Sequence, residues 1–112
     1  MSALKSKAIF TIQKGKLENF KDIATQCINC VKQKDKSTLK YDWYFSDNLC
    51  IVDEEFSDSE AMLSHMQNLG KLPLNLTKIA TFNLEIYGSP TSKLMNALKA
   101  LNPTVFNFYK GL

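Results

Sequence analysis

Hydrophobic residues change period at Gly15, and that change decides most of what this chain can fold into. Before it, in "LKSKAIFTIQ", Leu4, Ala8, Phe10 and Ile12 fall on one face of an alternating pattern, which predicts a strand. After it, Leu17, Phe20, Ala24, Cys27 and Val31 recur at three- and four-residue spacing, an apolar stripe that predicts a helix from Lys16 to about Lys34. Period two returns in "STLKYDWYFSDNLCIVDEEF". Leu39, Tyr41, Trp43 and Phe45 share a face, Ser46-Asp47-Asn48 supply a turn, and Cys50, Val52 and Phe56 follow on a second strand.

Ser57 or Asp58 can cap the next helix, with Glu60 placed to reach back toward its free amides. That helix carries Ala61, Met62, His65, Met66 and Leu69 before Gly70 stops it, and "LPLNLTKIA" continues as a second helical piece with Pro73 in its first turn. "TFNLEIYG" alternates again, "SPTSKLMNALKALN" restarts a helix, and "PTVFNFYKG" closes as a short aromatic strand. The order is β-α-β-β-α-β with a helix and a strand appended. It is the ferredoxin-like, split-βαβ form of an α+β fold: an antiparallel sheet with its helices on one face.

Residues 1–112 read as one domain, long enough to bury roughly 65% of the surface its unfolded chain exposes. Hydrophobic residues make up 45% and charged residues 22%, which excludes disordered and membrane compositions. No apolar run approaches the roughly 20 residues that span a bilayer, and the opening lysines are interleaved with apolar positions, unlike a signal peptide. The cytoplasm is the expected location. Both faces of the sheet carry large apolar side chains: Tyr44 opposes Trp43, and in the last strand Val105 and Tyr109 oppose Phe106 and Phe108. A sheet apolar on both faces predicts that a second copy covers the open one, so a homodimer is expected.

The net charge of +3 comes from fourteen lysines with no arginine. Without the planar guanidinium the chain lacks the usual bidentate reader of guanine or phosphate, so nucleic acid is not an expected partner. Nine lysines stand against three acids in residues 1–40, then seven acids and no lysine in residues 41–60, a segregation that suits solvated faces and a polar loop at "KQKDKSTLK". "CINC", Cys27 to Cys30, lies in the middle of the helical stripe, away from a helix N-terminus where a redox pair gains acidity, so packing is its expected role. One histidine with the remaining Cys50 makes no recognisable zinc set, and no metal is expected.

Gly15 followed by a striped helix, then "LKYDWYFSDN", then "EEFSDSEAMLSHMQNLG" resembles the antibiotic biosynthesis monooxygenase domain, a family of dimeric α+β barrels. Over roughly residues 5 to 87, Glu54 and Phe56 match the family's Glu-x-aromatic strand end, and Ala61 and His65 match its Ala-x-x-x-His helix. The family includes quinol monooxygenases, polyketide oxygenases, haem-degrading enzymes and members of no known activity. In the haem-degrading branch the resemblance would call for Asn, Trp and His where this chain has Ala8, His65 and Asn75, so haem is not expected.

The other branch resembles cofactor-free oxygenases, in which the substrate, as a phenolate or enolate, itself gives an electron to oxygen. The resemblance therefore implies an apolar pocket for a quinol-like or enolisable aromatic molecule and no cofactor. Phe10, Tyr41, Trp43 and Phe82 are the candidate pocket walls; His65 is the candidate catalytic base, with Glu54 to orient it. No Gly-rich strand-to-helix turn signals flavin or nicotinamide, and with no arginine, Lys71 or Lys78 would have to clamp an anionic ligand. The same residues also suit plain packing: aromatic stripes build cores, His65 fits a helix–strand contact, and Glu54 a hydrogen-bonded strand position. A non-catalytic module that binds a small apolar molecule is the alternative.

Overall fold

A computed structural model describes residues 3–112. Its elements follow the order the periodicity predicts: β1 (Leu4–Ile12), α1 (Leu17–Lys34), β2 (Thr38–Ser46), β3 (Leu49–Phe56), α2 (Ser59–Leu69), α3 (Leu72–Thr77), β4 (Ala80–Tyr87), α4 (Ser92–Leu98) and β5 (Thr104–Phe106), with a 3₁₀ turn at Lys99–Leu101. β1 lies at the centre of one sheet in the order β2-β3-β1-β4-β5. The first four strands form the antiparallel ferredoxin-like set. β5 pairs in parallel with β4, so the sheet is mixed where the sequence predicts an antiparallel one.

Local chemistry accounts for the element boundaries. Gly15 adopts a φ of 81° between β1 and α1, a conformation glycine reaches without steric cost. Glu18 in the first turn of α1 and Lys32 and Lys34 in the last complement its dipole, while Phe20, Ala24, Cys27 and Val31 turn inward. The β2–β3 hairpin turns through Asp47 and Asn48, with Asp47 at a φ of 51°. Asp58 caps α2 by accepting a hydrogen bond from the Ala61 amide at 2.9 Å. Glu60 does not reach back to the amides; it pairs with Lys93 on the surface at 3.1 Å.

The inner face of the sheet carries Leu4, Ser6, Ala8, Phe10 and Ile12 from β1, with Cys50, Val52, Glu54 and Phe56 from β3. Two apolar clusters share it. One joins Phe10, Phe20, Cys27, Val52 and Leu76 beneath α1 and α3; the other joins Leu4, Phe56, Met62, Ile86, Leu94 and Leu98 beneath α2 and α4, and Phe82 touches both. The fully buried Phe20 and Phe56 each contribute about 2–3 kcal/mol by leaving water.

Three details depart from the sequence reading. Leu39 does not share the face of Tyr41 and Trp43: a bulge between Thr38 and Lys40 shifts the register and leaves it 60% exposed. β5 ends at Phe106, so Phe108 and Tyr109 lie outside the ladder and are exposed. The outer face of the sheet is apolar only in part. Tyr44, Leu49 and Ile51 are exposed there, but the rest bears charged residues, including Lys40 paired with Asp53 at 3.0 Å.

Candidate active site

Strand register assembles the polar part of the site. Ser6 on β1, Glu54 on β3 and Tyr41 on β2 are direct neighbours across three strands, all on the inner face. The Ser6 hydroxyl donates to Glu54 Oε1 at 2.5 Å, which satisfies one oxygen of a carboxylate that is only 7% exposed. His65 descends onto this row from α2, its ring 5.0 Å from the Tyr41 ring and 5.0 Å from Phe56. Nε2 lies 3.7 Å from Glu54 Oε2, an ion-pair separation too long for a direct hydrogen bond.

The closer partner of His65 is Asp35, at the end of α1. Its Oδ2 sits 2.7 Å from His65 Nδ1, with both side chains almost fully buried. Thr38 donates to the same carboxylate at 2.6 Å and Asn68 at 2.9 Å. Burial alone would raise the Asp35 pKa, but the hydrogen bonds from Thr38, Asn68 and His65 outweigh it and hold the carboxyl below its ordinary range. For His65 burial works to lower the pKa; Glu54 and then Asp35 oppose it, and the balance is raised above the ordinary value. The imidazole thus sits between two acidic side chains that together favour its charged form.

Glu54 and His65 border a cavity of about 260 Å³ between the sheet and helices α2 and α3. Phe10, Tyr41, Trp43 and Phe82 all line it, as do Glu54 and His65; Ala8 and Val52 lie in the sheet beneath, and Met62, Met66, Leu69 and Leu76 face them. Ala8 is the smallest side chain in its part of the floor and leaves room above it. The exposed Leu74 and Leu101 are also among the lining residues and mark the mouth between α3 and the 3₁₀ turn. An apolar cavity of roughly 150 Å³ holds benzene, so this one has space for a molecule of one or two rings.

Burial pushes the Cys27 thiol up to about 11, helped by Cys30, and drives the Tyr41 hydroxyl well above its usual range. Both stay neutral near neutral pH. Trp43 Nε1 is buried and has no hydrogen-bond partner among the described residues. Lys71 and Lys78 flank α3 and neither lines the cavity, so they clamp nothing there. Asp35 and Glu54 approach the imidazole at different ring nitrogens, an arrangement that bridges through the ring rather than converging on one metal ion. No group of three or more His, Cys, Asp or Glu among the described residues is placed to hold a metal.

Sequence reasoning did not find Asp35 or Ser6. Asp35 sits among lysines in a polar stretch, and Ser6 interrupts an apolar stripe as a small polar residue often does. Only the Ser6–Glu54 register, visible once the strands are paired, links Ser6 to the site.

The molecule is a ferredoxin-like α+β domain with one imidazole and one carboxylate facing an apolar cavity. Its fold is the one shared by solved proteins described as antibiotic biosynthesis monooxygenases. MupZ from Pseudomonas fluorescens superposes with a TM-score of 0.89 at 22% identity, over 100% of this chain and 94% of that one. SnoaB from Streptomyces nogalater, a cofactor-independent oxygenase, superposes at 0.68 and 10% identity over 82% of this chain and 97% of its own. A Caulobacter crescentus protein described as a candidate antibiotic biosynthesis monooxygenase gives 0.69 at 15% identity, over 75% and 86%. The sequence matches no protein-family model and no curated protein. Among the described residues no helix is long and apolar enough to cross a membrane.

Proposed function

We propose that the protein is a cofactor-independent monooxygenase of a small quinol-like or enolisable aromatic molecule. The observation that carries this reading is an acidic side chain and an imidazole, Glu54 and His65, facing a cavity otherwise walled by aromatic and aliphatic side chains. The shared fold of SnoaB supports the reaction class.

Because His65 is held between Glu54 and Asp35, its roles divide differently from a free histidine base. Glu54 takes a proton from the substrate C–H or O–H, and the imidazolium stabilises the enolate or phenolate that results. The anion passes one electron to dioxygen. Recombination of the radical with superoxide forms a C–O bond, protonation gives a hydroperoxide, and loss of water leaves a carbonyl: CH₂ and O₂ become C=O and H₂O. Phe10, Tyr41, Trp43 and Phe82 hold the ring and exclude water. A second copy covers the outer face at Tyr44, Leu49 and Ile51, making the working unit a homodimer. The three cysteines are free thiols, which suits the reducing cytoplasm as its place of work.

Oxygen uptake with a panel of quinols and enolisable aromatics tests the reading, and consumption of at least one with stoichiometric product is expected. The buried ion pair also suits a structural role. If aromatic ligands raise the melting temperature while none is consumed, the protein is a binding module of the same fold.

A further inference from the structure

The cavity is polar at one end only. Glu54, on β3, and His65 are the charged or chargeable groups of its lining at neutral pH, and they lie to one side of the central strand β1. β4 lies on the other side of β1, and there the lining passes to Leu84 and to Leu98, which pack together at the end of α4. The lining residues that reach solvent are Gly70, Leu74 and Leu101, and none has a polar side chain. Leu74 is 61% exposed and Leu101 42%, on two separate elements at one opening. No lysine of the described residues lines the cavity, so nothing at the mouth would pair with an anionic group. Met62 and Met66, unbranched and adaptable, line the passage from α2.

We propose that Leu74 and Leu101 form a subsite for an uncharged apolar chain, so that the molecule taken is a hydroxylated ring bearing an alkyl or alkenyl substituent that leaves through the mouth. The ring hydroxyl sits at Glu54 and His65, where the lining can hydrogen-bond it, and the chain points the other way because the mouth offers no polar partner. A chain passing between the two leucines removes their exposed surface from water along with its own. An unsubstituted ring leaves both leucines wet. The subsite rests on the reading that the ring lies against Glu54, but its test measures binding and consumes no oxygen.

Trp43 is the sole tryptophan and lines the cavity, so its fluorescence reports binding of 4-alkylphenols from methyl to octyl, each below the concentration at which it aggregates. Affinity is expected to rise about threefold to fourfold for each methylene that the leucines cover. Leu74→Ser and Leu101→Ser should each cut the octyl-to-methyl affinity ratio at least about 5-fold. Leu39→Ser, at a leucine 60% exposed but away from the cavity, should leave that ratio unchanged. A ratio unaltered in both mouth variants, or lowered equally by Leu39→Ser, overturns the subsite. So does a wild-type affinity that does not rise with chain length; the ring pocket then stands if the methyl compound still binds, and falls with the subsite if no member binds. A change of sedimenting mass in either mouth variant assigns the leucines to a contact between copies and also overturns it. Oxygen uptake, the test of the function itself, is read separately from all of these.

Discussion

His65 Nδ1 lies 2.7 Å from Asp35 Oδ2, joining the end of α1 to the middle of α2 through a contact that almost no solvent reaches. Removing one partner of a buried pair strands the other charge, and such losses run to about 3–5 kcal/mol. Asp35→Ala is expected to destabilise the fold by about that much. Asp35→Asn, which keeps an acceptor, should cost about 1–3 kcal/mol. Urea unfolding midpoints measure both. Equal stability of Asp35→Ala and wild type would mean the pair contributes nothing.

The pair also sets how stability depends on pH. His65 is raised in the folded state above its ordinary 6.5, so its contribution is fully present below about pH 6.5 and is lost as pH rises through the folded value. Asp35 is lowered from 3.8, so its contribution is present above about pH 3.8 and is lost as pH falls through its folded value. Between those limits both contribute in full. Melting temperature should therefore fall as pH rises above the window, and His65→Gln should flatten that limb; an unchanged limb in the variant would assign it to other groups.

The dimer is tested on the outer face of the sheet. Tyr44, Leu49 and Ile51 are exposed beside the Lys40–Asp53 pair, a mixed surface that suits an apolar contact with a polar margin. Sedimentation equilibrium at micromolar concentration should give twice the chain mass, and Ile51→Lys should shift the protein toward monomer. A wild-type species of 12.7 kDa under those conditions would contradict the assembly.

Haem should not bind. Ala8 and His65 line the cavity and Asn75 lies in α3, and the resemblance to the haem-degrading branch would call for Asn, Trp and His at these three positions. The protein should purify colourless, and titration with haem should give no tight, Soret-shifted complex.

The fold was legible in sequence wherever burial imposes a period. Burial alternates along β1, where Ser6 alone breaks the apolar face, and the stripe of α1 is unbroken, because each buries one face against a packed neighbour. Leu39 was not legible, because the bulge beside it arises from pairing with β3 rather than from its own neighbours. Glu54 and His65 carried local cues, an acid on an apolar strand face and a histidine on an apolar helix face. Asp35 carried none. Its burial comes from the way the end of α1 meets α2, a tertiary relation between residues 30 apart, and its sequence context of lysines points toward solvent.

The central claim is that Glu54 performs proton transfer on a molecule held in the apolar cavity. It is tested most directly by comparing oxygen uptake in wild type and Glu54→Gln with a quinol that the wild-type protein consumes. The substitution keeps the size of the side chain and an acceptor for the Ser6 hydroxyl, so the fold and the cavity should persist. The account predicts that kcat falls about 10²- to 10⁴-fold while ligand affinity, read by fluorescence of the sole tryptophan, Trp43, changes little. Turnover by Glu54→Gln at the wild-type rate would contradict it.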